Sequence, residues 1–194
     1  MTESDLIAAL RPVTEALEAL GVRGYLGGSI ASSAHGIARA SLDADLIAEL
    51  ELEHVDPFAS HLESSYYVPI DHMRAAVAER RSFNLIHLAT MFKVDGFVSK
   101  GRPYDRQAAG RARPQLFGEA PHDCGFFVAS PEDTVLAKLE RFRLGGETSE
   151  RQWWDIVGVL NVADADRDYL RLWAPALGVS DLLEKALADT GPPG

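Results

Sequence analysis

The run Gly27-Gly28-Ser29-Ile30-Ala31-Ser32-Ser33-Ala34-His35-Gly36-Ile37-Ala38-Arg39-Ala40-Ser41-Leu42-Asp43-Ala44-Asp45-Leu46 decides how the rest of this chain is read. Its end opens an apolar strand, Leu42 to Leu50, interrupted by two aspartates. Successive side chains of a strand point to opposite faces, so Asp43 and Asp45 share one face while Leu42, Ala44 and Leu46 share the other. Neighbouring carboxylates repel, and strands disfavour Asp. A bound divalent cation removes that repulsion, and oxygen-only ligands select Mg²⁺, Mn²⁺ or Ca²⁺ over zinc or copper. An exposed edge strand with two solvated acids carries the same pattern, so these residues alone leave both readings open.

Working outward, Val22 to Leu26 reads as a short strand and Gly27-Gly28-Ser29 as the turn after it. Ser29 is placed to cap a short helix through His35. Glycines there let a phosphate approach the backbone, and a helix start offers free N–H groups; a plain turn needs the same residues. Downstream, Phe83 to Leu88 and Phe92 to Val98 read as two strands. The second holds a lone acid, Asp95, on the face of Lys93 and opposite Phe92, Val94 and Val98. A third carboxylate beside Asp43 and Asp45 completes the donor set of a two-metal site, which clamps both the attacking and the leaving oxygen of a displacement.

Helical periodicity covers residues 5–20, 57–64 and 70–81. The stretch from Gly101 to Gly118, rich in Gly, Pro and Arg, reads as loop, and Gly125 to Ala129 as one more strand. The character changes at Ser130-Pro131-Glu132-Asp133, a strong helix start. That helix runs to about Leu144, Ser149 with Gln152 opens the next, and further helix follows over 166–174 and 179–189. The expected organisation is therefore a sheet domain over 1–129 and a helical domain over 130–190. The fold class is α/β (α+β), a small mixed sheet flanked by helices.

Composition narrows the function. The 194 residues carry a net charge of −10, which argues against nucleic-acid binding through the overall field. Arg74, Arg80, Arg81, Lys93, Lys100, Arg102, Arg106, Arg111 and Arg113 nevertheless fall in one stretch. They either meet phosphates or form a solvated face. Cys124 is the only cysteine, which leaves no pair for an internal disulfide. The acidic first residues do not read as a signal peptide and no apolar run spans a bilayer, so a cytoplasmic protein without membrane contact is expected.

In the helical part, Lys138 lies one turn from Val135 and Phe142, and Asp155 lies close to the stripe of Ile156, Val159 and Leu160. Charges at such positions are costly unless paired or functional. A Lys–Asp ion pair between helices and a functional pair are equally served. Trp153, Trp154 and Trp173 read as packing residues and His35 as a helix-end histidine.

The order glycine–serine turn, short helix, Asp43-x-Asp45, then Asp95 on a later strand resembles the nucleotidyltransferase superfamily that includes DNA polymerase beta. Residues 27–46 look especially like its bacterial AbiEii/AbiGii toxin-type branch. Ala137-Lys138-Leu139-Glu140-Arg141 and Trp154-Asp155-Ile156 look like the Lys and Asp positions of that branch. The resemblance implies a transferase using an NTP. Gly27, Gly28, Ser29, Arg39 and Lys138 would bind the nucleotide, and Asp43, Asp45 and Asp95 would hold two Mg²⁺ ions, or Mn²⁺. Asp95 would help deprotonate the acceptor, and Asp155 would orient Lys138 or activate the acceptor. The acceptor hydroxyl would belong to a tRNA or other RNA end, a protein or a small molecule, with an antitoxin-type protein as a further partner. The rival readings are a non-catalytic nucleotide-binding, antitoxin-like or regulatory protein on the same fold, and a site whose acids bind a purely structural cation.

Overall fold

A computed structural model describes residues 3–37, 43–117 and 125–190; Arg39, Leu42 and Cys124 lie outside them. The elements, in chain order, are α1 (Glu3–Ala19), β1 (Gly24–Leu26), α2 (Gly28–Ala34), β2 (Asp43–Ala48), α3 (Leu52–Leu62), β3 (Tyr66–Tyr67), α4 (Ile70–Ala78), β4 (Ser82–His87), β5 (Lys93–Val98), α5 (Pro103–Arg111), β6 (Arg113–Leu116), β7 (Gly125–Val128), α6 (Pro131–Leu144), α7 (Glu150–Val162), α8 (Arg167–Leu177) and α9 (Ser180–Asp189). The strands form one mixed sheet of order β3-β4-β5-β2-β1-β7-β6. The β2–β5 and β1–β7 pairs are parallel and the others antiparallel.

Strict alternation builds the sheet's inner face. Ala44, Leu46 and Ala48 of β2, Val94 and Val98 of β5, and Phe83 and Leu85 of β4 are all buried. They join Leu10, Val13 and Leu17 of α1, Val55, Phe58 and Leu62 of α3, and Met73 and Val77 of α4 in one hydrophobic cluster. A Cβ on Gly96 would stand 2.4 Å from the Phe83 ring, so the missing side chain there makes room for the aromatic ring of the neighbouring strand.

A second cluster gathers Leu136 and Leu139 of α6, Ile156 and Val159 of α7, Leu170 and Ala174 of α8, and Leu182 and Leu183 of α9. Tyr104 and Ala108 of α5 belong to it too, and Tyr25 of β1 packs against both clusters. Residues 101–118, expected as loop, thus contain helix α5 and strand β6. Only two buried apolar residues at helical spacing mark α5, too few to stand out among its charges. Its start is set by Pro103 in the first turn and by Asp105 accepting from the Arg102 backbone N–H at 2.8 Å. Pro114 lies in β6 at the sheet edge, where a missing N–H breaks no ladder.

Ser130 opens α6 as its residues require, its hydroxyl accepting from Asp133 N at 3.1 Å. Asp133 is buried, its carboxylate taking hydrogen bonds from Ser130 Oγ (2.7 Å) and Tyr169 Oη (2.9 Å). Beside it Arg111 pairs with Glu132 at 2.6 Å and lies over the Tyr169 ring. These bonds pin α5 and α8 to the start of α6, and buried charges persist only when so satisfied.

Candidate active site

The outer face of β2 and β5 carries the charged residues. In the parallel register Asp45 lies beside Asp95 and Asp43 beside Lys93, so the pleat and the pairing together bring three carboxylates and one ammonium onto one patch. Lys93 Nζ stands 2.8 Å from Asp95 Oδ2 and 4.0 Å from Asp43 Oδ2. On the other side of β5, Asn84 of β4 is the register partner of Asp95. With its amide nitrogen turned toward β5, Asn84 donates to Asp95 Oδ1 at 2.7 Å. Both oxygens of Asp95 are thereby engaged.

Asp45 is held differently. The Gly27 N–H donates to the Asp45 carbonyl at 2.9 Å, so the turn after β1 runs directly over this residue. Gly28 has φ +57°, and a Cβ built on it would lie 1.7 Å from Asp45 Oδ2. The carboxylate fills space that only a glycine leaves open. From the helical part, Arg141 of α6 reaches across to Asp45 Oδ2 at 3.2 Å, its guanidinium lying over the Phe97 ring. Burial pushes the Asp45 carboxyl above the usual carboxylate range; Arg141 opposes this, and Asp43 and Asp95 add to it. The Asp95 hydrogen bond holds the Lys93 ammonium above the ordinary lysine value.

Helix α2 begins at Gly28 with Gly27 as its cap. Ser29, expected to cap it, is instead the second residue of the helix, because the left-handed φ of Gly28 turns the chain earlier. His35 ends this helix and bonds the Ala129 carbonyl at 2.8 Å, as a helix-end histidine. Helix α2 packs on α6, and Lys138 and Arg141 stand three residues apart on α6, one turn of the helix. Lys138 Nζ pairs with Asp155 of α7 at 3.3 Å, each side chain 13% exposed. Glu140 turns away and takes Arg102 at 2.7 Å and Lys100 at 3.4 Å.

The carboxylates suit a hard divalent ion in chemistry, being all-oxygen donors on one face, and a cation would relieve the crowding at Asp45. Among the described residues, however, no three acidic, histidine or cysteine side chains converge into a ready-made metal cage; the carboxylates are bonded instead to Lys93, Asn84 and Arg141. The cations of the basic stretch are paired within the chain. Arg74, Arg80, Arg81, Lys93, Lys100 and Arg102 pair with Asp56, Glu51, Glu79, Asp95, Glu140 and Asp105. Arg111 pairs with Glu132, and Arg106 and Arg113 bond backbone carbonyls. Trp153 is buried and donates to Asp189 at 2.9 Å. Trp154, expected to pack, is 63% exposed, because it falls on the outer side of α7. Sequence reasoning assigned no role to Arg141, Phe97 or Asn84. The period-two alternation that placed Lys93 with Asp95 also places Phe97 there, and the helical spacing from Lys138 marks Arg141. Asn84 had no such signal, since the β4–β5 register is set by the turn between them.

No family model matches the chain, and no curated protein does. Solved structures do. The antibiotic-resistance factor ANT(2'')-Ia superposes with a TM-score of 0.51 at 11% identity, over 96% of this chain and 95% of that one. An antigenic nucleotidyltransferase-like protein from Paracoccidioides brasiliensis gives 0.53 at 14% identity, over 97% and 93%. The lincosamide antibiotic adenylyltransferase LnuA, lincomycin-bound, gives 0.48 at 16% identity, over 84% and 99%. The first two likenesses show that the chain has the nucleotidyltransferase-type fold.

Proposed function

We propose that this protein is a metal-dependent nucleotidyltransferase that moves a nucleoside monophosphate from an NTP to an acceptor hydroxyl. The observation that carries the reading is the carboxylate patch: Asp43 and Asp45 on one face of β2, in register with Asp95 of β5, under the Gly27-Gly28 turn. The acceptor oxygen attacks the α-phosphorus and forms the new P–O bond. The bond from that phosphorus to the bridging oxygen breaks, pyrophosphate leaves, and the acceptor proton passes to Asp95. Asp43 and Asp45 would hold Mg²⁺ or Mn²⁺, which when bound would neutralise the polyphosphate and polarise the reacting phosphoryl group. Gly27, Gly28 and Ser29 border the triphosphate, and Lys138, kept in place by Asp155, meets its oxygens from the α6 side. Arg39 belongs to the same nucleotide site in this reading, on sequence grounds.

The charge distribution favours a protein side chain or a small molecule as acceptor. The basic residues that would track an RNA backbone are bonded within the chain. The AbiEii-type likeness of residues 27–46, Lys138 and Asp155 extends the proposal to a toxin-like enzyme, whose acceptor includes RNA. One experiment separates these. The purified protein is incubated with Mg²⁺ and each α-labelled NTP against RNA, protein and small-molecule pools, with Asp43→Ala/Asp45→Ala as control. Label in one pool, absent in the control, establishes the transfer and names the acceptor class; absence of NTP binding refutes it. A second reading, a nucleotide-binding regulatory protein without turnover, is favoured by the occupation of Asp95 and Asp45 by Lys93, Asn84 and Arg141. Mg²⁺-dependent NTP binding with no label transferred would select it.

A further inference from the structure

Resting on the carboxylate reading above, we propose that the site takes one divalent cation rather than two, and that the Lys93 ammonium stands in the second position, beside Asp43 and Asp95. Three observations carry this. Lys93 is built into the ladder as the register partner of Asp43 and lies two residues from Asp95 on the same face of β5. Its stem therefore rises between the two carboxylates that a second ion would have to share. Its Nζ sits 2.8 Å from Asp95 and 4.0 Å from Asp43, whereas Asp45 is engaged from the opposite side by Arg141.

The second observation is Asp95 itself, 16% exposed, with Oδ2 bonded to Lys93 and Oδ1 to the Asn84 amide. A carboxylate with both oxygens committed to donors from its own and the adjacent strand is a seat for a cationic side chain. To accept a metal it would lose the ammonium or the amide. Asp45 differs. Among the described residues its carboxylate pairs with the guanidinium of Arg141, which is half exposed and comes from a separate element. The two cations are similarly exposed, so anchorage separates them: Lys93 is built into the ladder and lies near both Asp95 and Asp43, whereas Arg141 reaches Asp45 from a helix, and an incoming divalent ion displaces Arg141 more readily.

The third is charge. Lys93 and Arg141 together carry as much positive charge as one divalent ion. With a single Mg²⁺ they bring to the patch and its triphosphate the same total that two ions bring to a site without them. A guanidinium released from Asp45 is also well shaped to meet polyphosphate oxygens. In the transfer step, Lys93 takes over what a second metal does on the attacking side, lowering the cost of negative charge on the acceptor oxygen as its proton leaves for Asp95.

Metal stoichiometry tests this without turnover. Mn²⁺ is titrated into the full-length protein with a non-hydrolysable α,β-methylene NTP analogue, and free Mn²⁺ is read by electron paramagnetic resonance. The wild type should bind one ion per chain. Lys93→Met, which keeps the stem and removes the charge, should bind two, and Lys93→Arg should stay at one. A thermal melt checks that the variants are folded; were Lys93→Met to unfold, the wild-type count and Lys93→Arg would still decide. Two ions in the wild type, or one in a folded Lys93→Met, overturns the proposal and leaves the proposed function standing. No bound Mn²⁺ in the wild type overturns both.

Discussion

The carboxylate of Asp45 occupies the place where a side chain on residue 28 would begin: Oδ2 lies 1.7 Å from the position of a Cβ on Gly28. The turn before α2 and the central acid of β2 are therefore one structural unit. A residue that is permissive in the turn is also the one that leaves room for the acid on the outer face of the sheet.

From this, Gly28→Ala should be costly twice over. The left-handed φ of +57° disfavours any β-carbon by about 1–2 kcal/mol, and the contact with Asp45 adds to it. The expected result is a lower midpoint in thermal or urea unfolding together with weakened Mg²⁺–nucleotide binding. Unchanged nucleotide affinity in a destabilised Gly28→Ala would separate the turn from the site.

Asp45 should show the opposite balance between stability and function. Its folded-state carboxyl is raised, first by burial, so the folded protein binds this proton more tightly than the unfolded chain does. The ionised form then costs stability. The cost is absent at pH values below the unfolded aspartate range near 4, grows as pH rises through that range, and is complete above the folded value. Asp45→Asn removes it, so the variant should be more stable than the wild type at neutral pH, by on the order of 1 kcal/mol. The two unfolding curves should converge as the pH falls toward about 4. Calorimetry across that range checks the sign. A variant less stable at neutral pH would mean that the Arg141 contact outweighs the burial.

Lys138 and Asp155 form a pair between α6 and α7 in which both side chains are mostly covered. Removing one partner leaves the other charge without this ion pair, so Lys138→Met alone should destabilise by about 3 kcal/mol. The double variant Lys138→Met/Asp155→Leu should recover most of that loss, since apolar replacement of a covered ion pair is often neutral. Label transfer from the NTP should stay lost in the double variant if Lys138 meets the triphosphate. Recovery of both stability and transfer would make the pair structural.

At the start of α6, Tyr169→Phe deletes the hydroxyl that donates to Asp133 Oδ1 at 2.9 Å. It leaves a buried carboxylate oxygen without that donor, at about 1–3 kcal/mol. Denaturant unfolding should report this as a shift in midpoint without a change in slope. Nucleotide binding should be unaffected, because the Asp133 cluster belongs to the packing of α5, α6 and α8 and not to the carboxylate patch.

Residues alone were enough for the strands that carry the three aspartates. Alternation along Asp43-Ala44-Asp45-Leu46 and Lys93-Val94-Asp95 is a local property of a pleated chain, and the structure buries Ala44, Leu46 and Val94 while leaving the charged residues on the outer face. The start of α6 at Ser130-Pro131 was legible for the same reason, since a cap and a first-turn proline act within four residues. What local signals could not decide is partnership. Helix α5 is held by two buried residues and an ion-pair network reaching to Glu140. Trp154 is exposed because of the side of α7 it falls on. The long basic stretch dissolves into pairs with acids from other elements. Above all, the β2–β5 register seats Lys93 between Asp43 and Asp95, and the packing of α6 carries Arg141 to Asp45. Those contacts join residues far apart in sequence. Pairing and helix packing choose them, and neither is written in the period of any one segment.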